Sequence, residues 1–99
     1  MQINDYVFLQ QLAGLPFVQA IWLFGSRARG DHRERSDIDL AISCPNASEA
    51  DWLQLLEIVA QADTLLGIDC IWLEREPEQS ALRAAIERDK EVLYERQPK

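Results

Sequence analysis

Apolar and polar positions along the chain fall into short periodic segments separated by turn residues. Over residues 3–15 (INDYVFLQQLAGL) apolar side chains recur at Ile3, Val7 or Phe8, Leu12 and Leu15, the spacing of one helical face, and Gly14 and Pro16 supply the stop. Phe17 to Phe24 is apolar apart from Gln19 and carries the β-branched Val18 and Ile21, which predicts a buried central strand. The chain then turns at Gly25-Ser26, and Arg27 to Gly30 fits one short helical turn. From Asp37 to Cys44 the pattern alternates. Ile38, Leu40 and Ile42 share one face, and Asp37, Asp39, Ala41 and Ser43 share the other, so the strand commits one face to the core and offers carboxylates on the other. Pro45 and Asn46 end it. Ser48 is placed to N-cap a helix to about Ala62, with Asp51 as the far arm of an imperfect capping box and Trp52, Leu55, Leu56 and Val59 as the apolar stripe. Gly67 precedes a third strand, Ile68 to Leu73, with Ile68, Cys70 and Trp72 on one face and Asp69, Ile71 and Leu73 on the other. After Pro77, Leu82, Ala85, Ile86, Lys90 and Leu93 line one side of a last helix from about Gln79 to Arg96. The order α-β-β-α-β-α predicts an α/β (α+β) fold, a small mixed sheet flanked by helices.

Composition bounds this picture. Ninety-nine residues make one domain, 1–99, and 47% hydrophobic content with three Trp allows a core without disulfides or structural metal. No apolar run approaches the ~20 residues of a membrane span, and MQINDYVFLQQ lacks the layout of a signal peptide. The expectation is a cytoplasmic protein with no membrane partner. Cys44 and Cys70 fall in predicted strands with no CxxC pairing and no nearby His, which reads as buried free thiols.

Charge changes the picture more. Seventeen acidic residues against 10 basic give a net charge of −7, which disfavours a nucleic-acid partner bound along its backbone. Yet Arg27, Arg29, Arg33 and Arg35 crowd one loop, opposed there only by Asp31 and Glu34. A local basic patch on an acidic chain fits either a small anion site or a solvated arginine-rich loop.

Candidate chemistry sits between Gly25 and Leu40. On a strand Asp37 and Asp39 project from one face about 6–7 Å apart, from where their side chains can converge on a metal pair ~3.5–4 Å apart. Oxygen-only ligands suit Mg²⁺, which commonly shares its shell with substrate phosphates. Asp69 is the only other acid inside a predicted strand. If that strand neighbours Asp37–Cys44, Asp69 joins the cluster with Cβ atoms ~4.5–5.5 Å apart. Three carboxylates this close repel one another, which raises their pKa values or favours capture of a cation. Taken singly, Asp37 caps a strand, Asp39 faces solvent and Asp69 is incidental; as a set beneath a Gly-Ser turn they point to a site. Gly25 and Ser26 offer backbone N–H groups and a hydroxyl to phosphate oxygens. Arg27 or Arg29 supplies a forked contact to a triphosphate. His32 is read as a surface residue, and Trp22, Trp52 and Trp72 as core.

The stretch GSRARGDHRERSDIDLAI, Gly25 to Ile42, resembles the signature of the DNA polymerase β-like nucleotidyltransferase superfamily, and its Ala-Arg-Gly and Ser-Asp-x-Asp-Leu forms are most similar to the minimal nucleotidyltransferase branch. The motif covers about a fifth of the chain, and the element order extends the likeness over most of it. The resemblance implies a polymerase β-like nucleotidyltransferase fold. It places Gly25 and Ser26 at a nucleoside triphosphate, and Asp37 and Asp39 on two Mg²⁺ ions. Asp69 becomes the third carboxylate, also a metal residue, helping to activate the attacking hydroxyl. The implied reaction is attack of an acceptor hydroxyl on the α-phosphorus of ATP with release of pyrophosphate. Larger members carry an acceptor-binding domain, so here a partner or a second copy is expected to supply acceptor recognition, in a homo- or hetero-oligomer. Members of the minimal branch pair with small helical HEPN toxins and act as antitoxins by adding AMP to a toxin tyrosine. That is the expected function. The alternatives are transfer to a small molecule such as an aminoglycoside, and a non-catalytic binding antitoxin. A missing substrate domain argues against the first, and the crowded carboxylates against the second.

Overall fold

A computed structural model describes residues 1–97. Four strands, β1 (Ala20–Phe24), β2 (Ile38–Ser43), β3 (Ile68–Trp72) and β4 (Glu91–Glu95), form one sheet in the order β3-β2-β1-β4. β1 is antiparallel to both β2 and β4, and β2 and β3 run parallel. The helices are α1 (Val7–Ala13), α2 (Ser26–Arg29), α3 (Glu49–Ala60) and α4 (Ala81–Asp89), with 3₁₀ turns at Ile3–Asp5 and Leu73–Arg75.

The alternation in β2 is realised as two differently covered faces. Ile38, Leu40 and Ile42 are buried with Ile21 and Leu23 of β1 under Phe8, Leu9 and Leu12 of α1 and Leu55 of α3. On the opposite face Ala41 is also buried, in a smaller cluster with Phe24, Leu73 and Ile86. The carboxylate face expected of β2 is therefore covered in its middle at Ala41, with Asp39 and Ser43 half-buried at its two ends.

Local caps follow the sequence closely. Ser48 Oγ accepts from Asp51 N at 3.1 Å and Asp51 Oδ2 accepts from Ser48 N at 2.9 Å, so the short Asp arm completes the capping box of α3. Asp63, lying just beyond α3, accepts from Val7 N and Phe8 N, both at 3.1 Å, at the start of α1. Trp52 and Trp72 stack with ring centroids 5.0 Å apart, half-buried at the edge of the core. Cys44 is buried and Cys70 half-buried, both free, with thiols pushed up to about 12 mainly by burial.

Several expectations need correction. The last helix ends at Asp89, and Glu91–Glu95, expected to be helical, forms β4. The residues Val92, Leu93 and Tyr94 suit a strand, and β1 would otherwise present an unpaired edge. Ala20, Ile21, Trp22 and Leu23 pair with Glu95, Tyr94, Val92 and Glu91, with a bulge between Ile21 and Trp22. Beyond β4, Arg96 donates to the carbonyls of Val18 (3.1 Å) and Leu15 (3.0 Å). Tertiary pairing here overrides a helical period that continued as far as Leu93. β4 also means that Asp69 is not the only other acid in a strand, since Glu91 and Glu95 lie in one too. β1 begins at Ala20 instead of Phe17, Asp37 stands one residue ahead of β2, and the first helical region divides into a 3₁₀ turn and α1.

Candidate active site

The topology gathers one end of three strands. β1 finishes where antiparallel β2 starts, and parallel β3 starts beside β2. Phe24 is therefore register partner of Asp39, and Asp39 is register partner of Asp69. Neighbouring strands lie about 4.7–4.9 Å apart, so Asp39 and Asp69 emerge side by side on the same face. Asp37, exposed and just outside β2, lies at the same end.

Two glycines make room for two of these carboxylates. Gly25 adopts φ +75°, and a Cβ there would collide with Asp39 Oδ2. The Asp39 carboxylate thus packs directly on the turn that follows β1. At Gly67 an added Cβ would lie 2.5 Å from Asp37 Oδ1, so the turn entering β3 abuts the other carboxylate. Gly67 was legible only as punctuation before a strand; its value as bare backbone beneath Asp37 needs the fold. After Gly25, the first intrahelical bonds of α2 are donated by Ala28 and Arg29 to the Gly25 carbonyl at 3.1 Å, so the N–H groups of Ser26 and Arg27 precede them.

Electrostatics mark Asp39 as the centre. Its pKa is raised, first by burial and then by the neighbouring charges of Asp69 and Asp37, while Arg29 pulls the other way. The arginines are both engaged. Arg27 donates Nε and Nη2 to Ser36 O (3.0 and 2.9 Å) and Nη2 to Glu34 O (3.1 Å), bracing the loop that delivers Asp37. These bonds hold Arg27 to the loop carbonyls, whereas the sequence predicts it or Arg29 at a triphosphate. Arg29 reaches Asp31 and Asp89, each at 3.1 Å. Asp89, its side chain almost wholly covered, lies at the end of α4, and nothing in the local sequence links it to residue 29. His32 is exposed.

Asp37, Asp39 and Asp69 are oxygen-only donors, the ligand type that Mg²⁺ takes. Among the described residues no three His, Cys, Asp or Glu side chains form a ready-made metal cage. Mg²⁺ usually takes one or two carboxylates and completes its shell with waters and substrate phosphates.

The family model described as "Polymerase beta, Nucleotidyltransferase" matches residues 9–99. This chain belongs to that family. A Methanocaldococcus jannaschii protein named "Putative protein adenylyltransferase MJ1379" is 35% identical over 51 residues. The match takes in 52% of this chain and 51% of that protein, so it spans about half the length of the curated relative. Among solved structures, a chain of a toxin–antitoxin crystal structure with AMP-PNP aligns with TM-score 0.69 at 22% identity, covering 91% of this chain and 73% of that one. A chain from the tri-AMPylated Shewanella oneidensis HEPN toxin in complex with MNT antitoxin aligns with TM-score 0.59 at 19% identity, covering 90% and 65%. These likenesses establish the polymerase β-like nucleotidyltransferase fold. Among the described residues no helix is long and apolar enough to cross a membrane.

Proposed function

We propose that this nucleotidyltransferase-family chain moves AMP from ATP to a tyrosine hydroxyl of a HEPN-type toxin and so serves as its antitoxin. The observation that carries the reading is the Asp39–Asp69 register pair with Asp39 packed on the Gly25 turn. The named activity of the archaeal relative and the toxin–antitoxin fold neighbours support the protein acceptor and the HEPN partner.

In this reading Gly25 and Ser26 bind the triphosphate, with Arg29 near enough to influence Asp39 and to steady the phosphates. Asp37, Asp39 and Asp69 would hold two Mg²⁺ ions, which supply charge neutralisation of the triphosphate and a lowered pKa for the acceptor hydroxyl. Asp69 takes the proton from that hydroxyl. The acceptor oxygen forms a bond to the α-phosphorus as the bond to the bridging oxygen of the β-phosphate breaks. Pyrophosphate leaves with the electron pair, and the acceptor keeps AMP.

The test is label transfer from α-phosphate-labelled ATP with Mg²⁺ in host lysate, comparing wild type with Asp39→Asn. A protein band labelled only by the wild type is expected, and its identification gives the acceptor. Equal labelling by both proteins, or none with nucleotide binding confirmed separately, would overturn the proposal.

A further inference from the structure

On the side of the carboxylates away from Gly25 and Ser26 lies an open cavity of about 440 Å³, lined by Arg35, Asp37, Leu65, Leu66 and Gly67. Gly67 supplies bare backbone as part of its lining; its carbonyl accepts from Ile38 N at 2.8 Å, which ties the turn to the start of β2. Leu66 N donates to Thr64 Oγ1 at 3.1 Å, and its side chain packs partly against the core. Leu65 is wholly exposed. A leucine left fully in water beside a site carboxylate gains from any apolar group that covers it.

The sheet order gives the cavity its direction. The phosphate-binding turn follows β1, the carboxylates start β2, and the cavity adjoins the entry to β3. In an in-line displacement the attacking and leaving oxygens stand on opposite sides of the phosphorus. With pyrophosphate leaving on the β1 side, the acceptor arrives from the β3 side, where the cavity is. Two leucines, one carboxylate and one guanidinium suit a flat apolar ring that carries a hydroxyl. A polycationic sugar would call for several acids and hydroxyls in their place.

We propose that the Arg35–Asp37/Leu65–Gly67 cavity is the acceptor subsite and selects a phenolic side chain, its ring on Leu65 and Leu66 and its hydroxyl reaching past Asp37 to Asp69 on the adjoining β3. Arg35 stacks on the free face of the ring as a cation–π partner. This rests on the transfer reading above and adds where the acceptor ring sits and which residues choose it.

The experiment uses the full chain with leucine methyls labelled, saturated with Mg²⁺ and AMP-PNP, and N-acetyl-tyrosinamide as the probe. Shifts confined to the Leu65 and Leu66 methyls are expected, absent with N-acetyl-serinamide. Leu65→Ser should weaken probe binding at least about fivefold while AMP-PNP binding and the buried Leu40 and Leu55 methyls stay unchanged, because residue 65 is outside the core. Unmoved Leu65 and Leu66 methyls, or equal shifts when adenosine replaces the probe, would overturn the proposal, the second outcome by assigning the cavity to the base. Once a labelled acceptor protein is in hand, Leu65→Ser should raise its KM and spare kcat. An unchanged KM sinks the subsite but leaves AMP transfer standing. Probe binding at Leu65 without transfer to any protein sinks the transfer reading and keeps the cavity's preference for phenols.

Discussion

At Gly25 and Gly67 the missing side chain is what the site uses, but for different reasons. Gly25 needs both a positive φ and the space taken by Asp39; Gly67 needs only the space taken by Asp37. Gly25→Ala therefore combines backbone strain, on the order of 1–3 kcal/mol, with displacement of Asp39. It should lower the melting temperature clearly and abolish AMP transfer. Gly67→Ala pushes only the mobile end of a surface carboxylate, so transfer should fall at least about tenfold while the melting temperature moves by a few degrees at most. Thermal melts and label transfer on the two variants separate these outcomes, and equal destabilisation by both would contradict the distinction. That Asp37, Asp39, Gly25 and Ser26 stand at one strand end was legible in the sequence from alternation and turn chemistry. The place of Asp69 beside Asp39 hung on which strands pair, and the β2–β3 pairing supplies it. What Arg27 does was not legible. Hydrogen bonds to the Ser36 and Glu34 carbonyls depend on a loop path that no periodicity encodes.

Among the elements, α1 and β4 show how distant residues decide local structure. The amide groups that open α1 are met by Asp63 from more than fifty positions away. These bonds, Val7 first, hold the Asp63 carboxyl below its ordinary value. A carboxylate with a lowered folded-state pKa stabilises the fold above its unfolded value of about 3.8, and that contribution vanishes as pH falls through the lower folded value. Asp63→Asn should therefore melt a few degrees below wild type near neutral pH, with the gap closing as the pH falls below about 3.8. Paired melts across that range check it, and a gap that widens in acid would reverse the sign. The central strands, α3 and its cap could be read from pattern alone, since their periods and stop signals agree. β4 could not: Leu93 extends the helical stripe of α4, while the deciding factor is an edge of β1 seventy residues earlier. Propensity is weak enough for such pairing to win.

Over the whole molecule, a chain of net charge −7 gathers three carboxylates at one uncovered sheet end, and burial with neighbouring charge makes ionised Asp39 costly in the folded state. Function and stability therefore oppose each other at this residue. Asp39→Asn removes that cost, so the free variant should melt at or above wild type. Cation capture reverses the order. A ligand that binds only the folded state at a hundredfold its Kd adds about 2.7 kcal/mol, which for a domain of this size corresponds to roughly 10–20 °C. Wild type with Mg²⁺ and AMP-PNP should show a shift of that order, largely lost with EDTA. Asp39→Asn should show little of it, although its fold is intact. Differential scanning fluorimetry of both proteins, free, with Mg²⁺ alone, and with Mg²⁺ plus AMP-PNP, reads all the terms together. If Mg²⁺–AMP-PNP stabilised Asp39→Asn as strongly as wild type, the nucleotide would be held without this carboxylate. The reason for packing it against Gly25 would then have to be sought in packing alone.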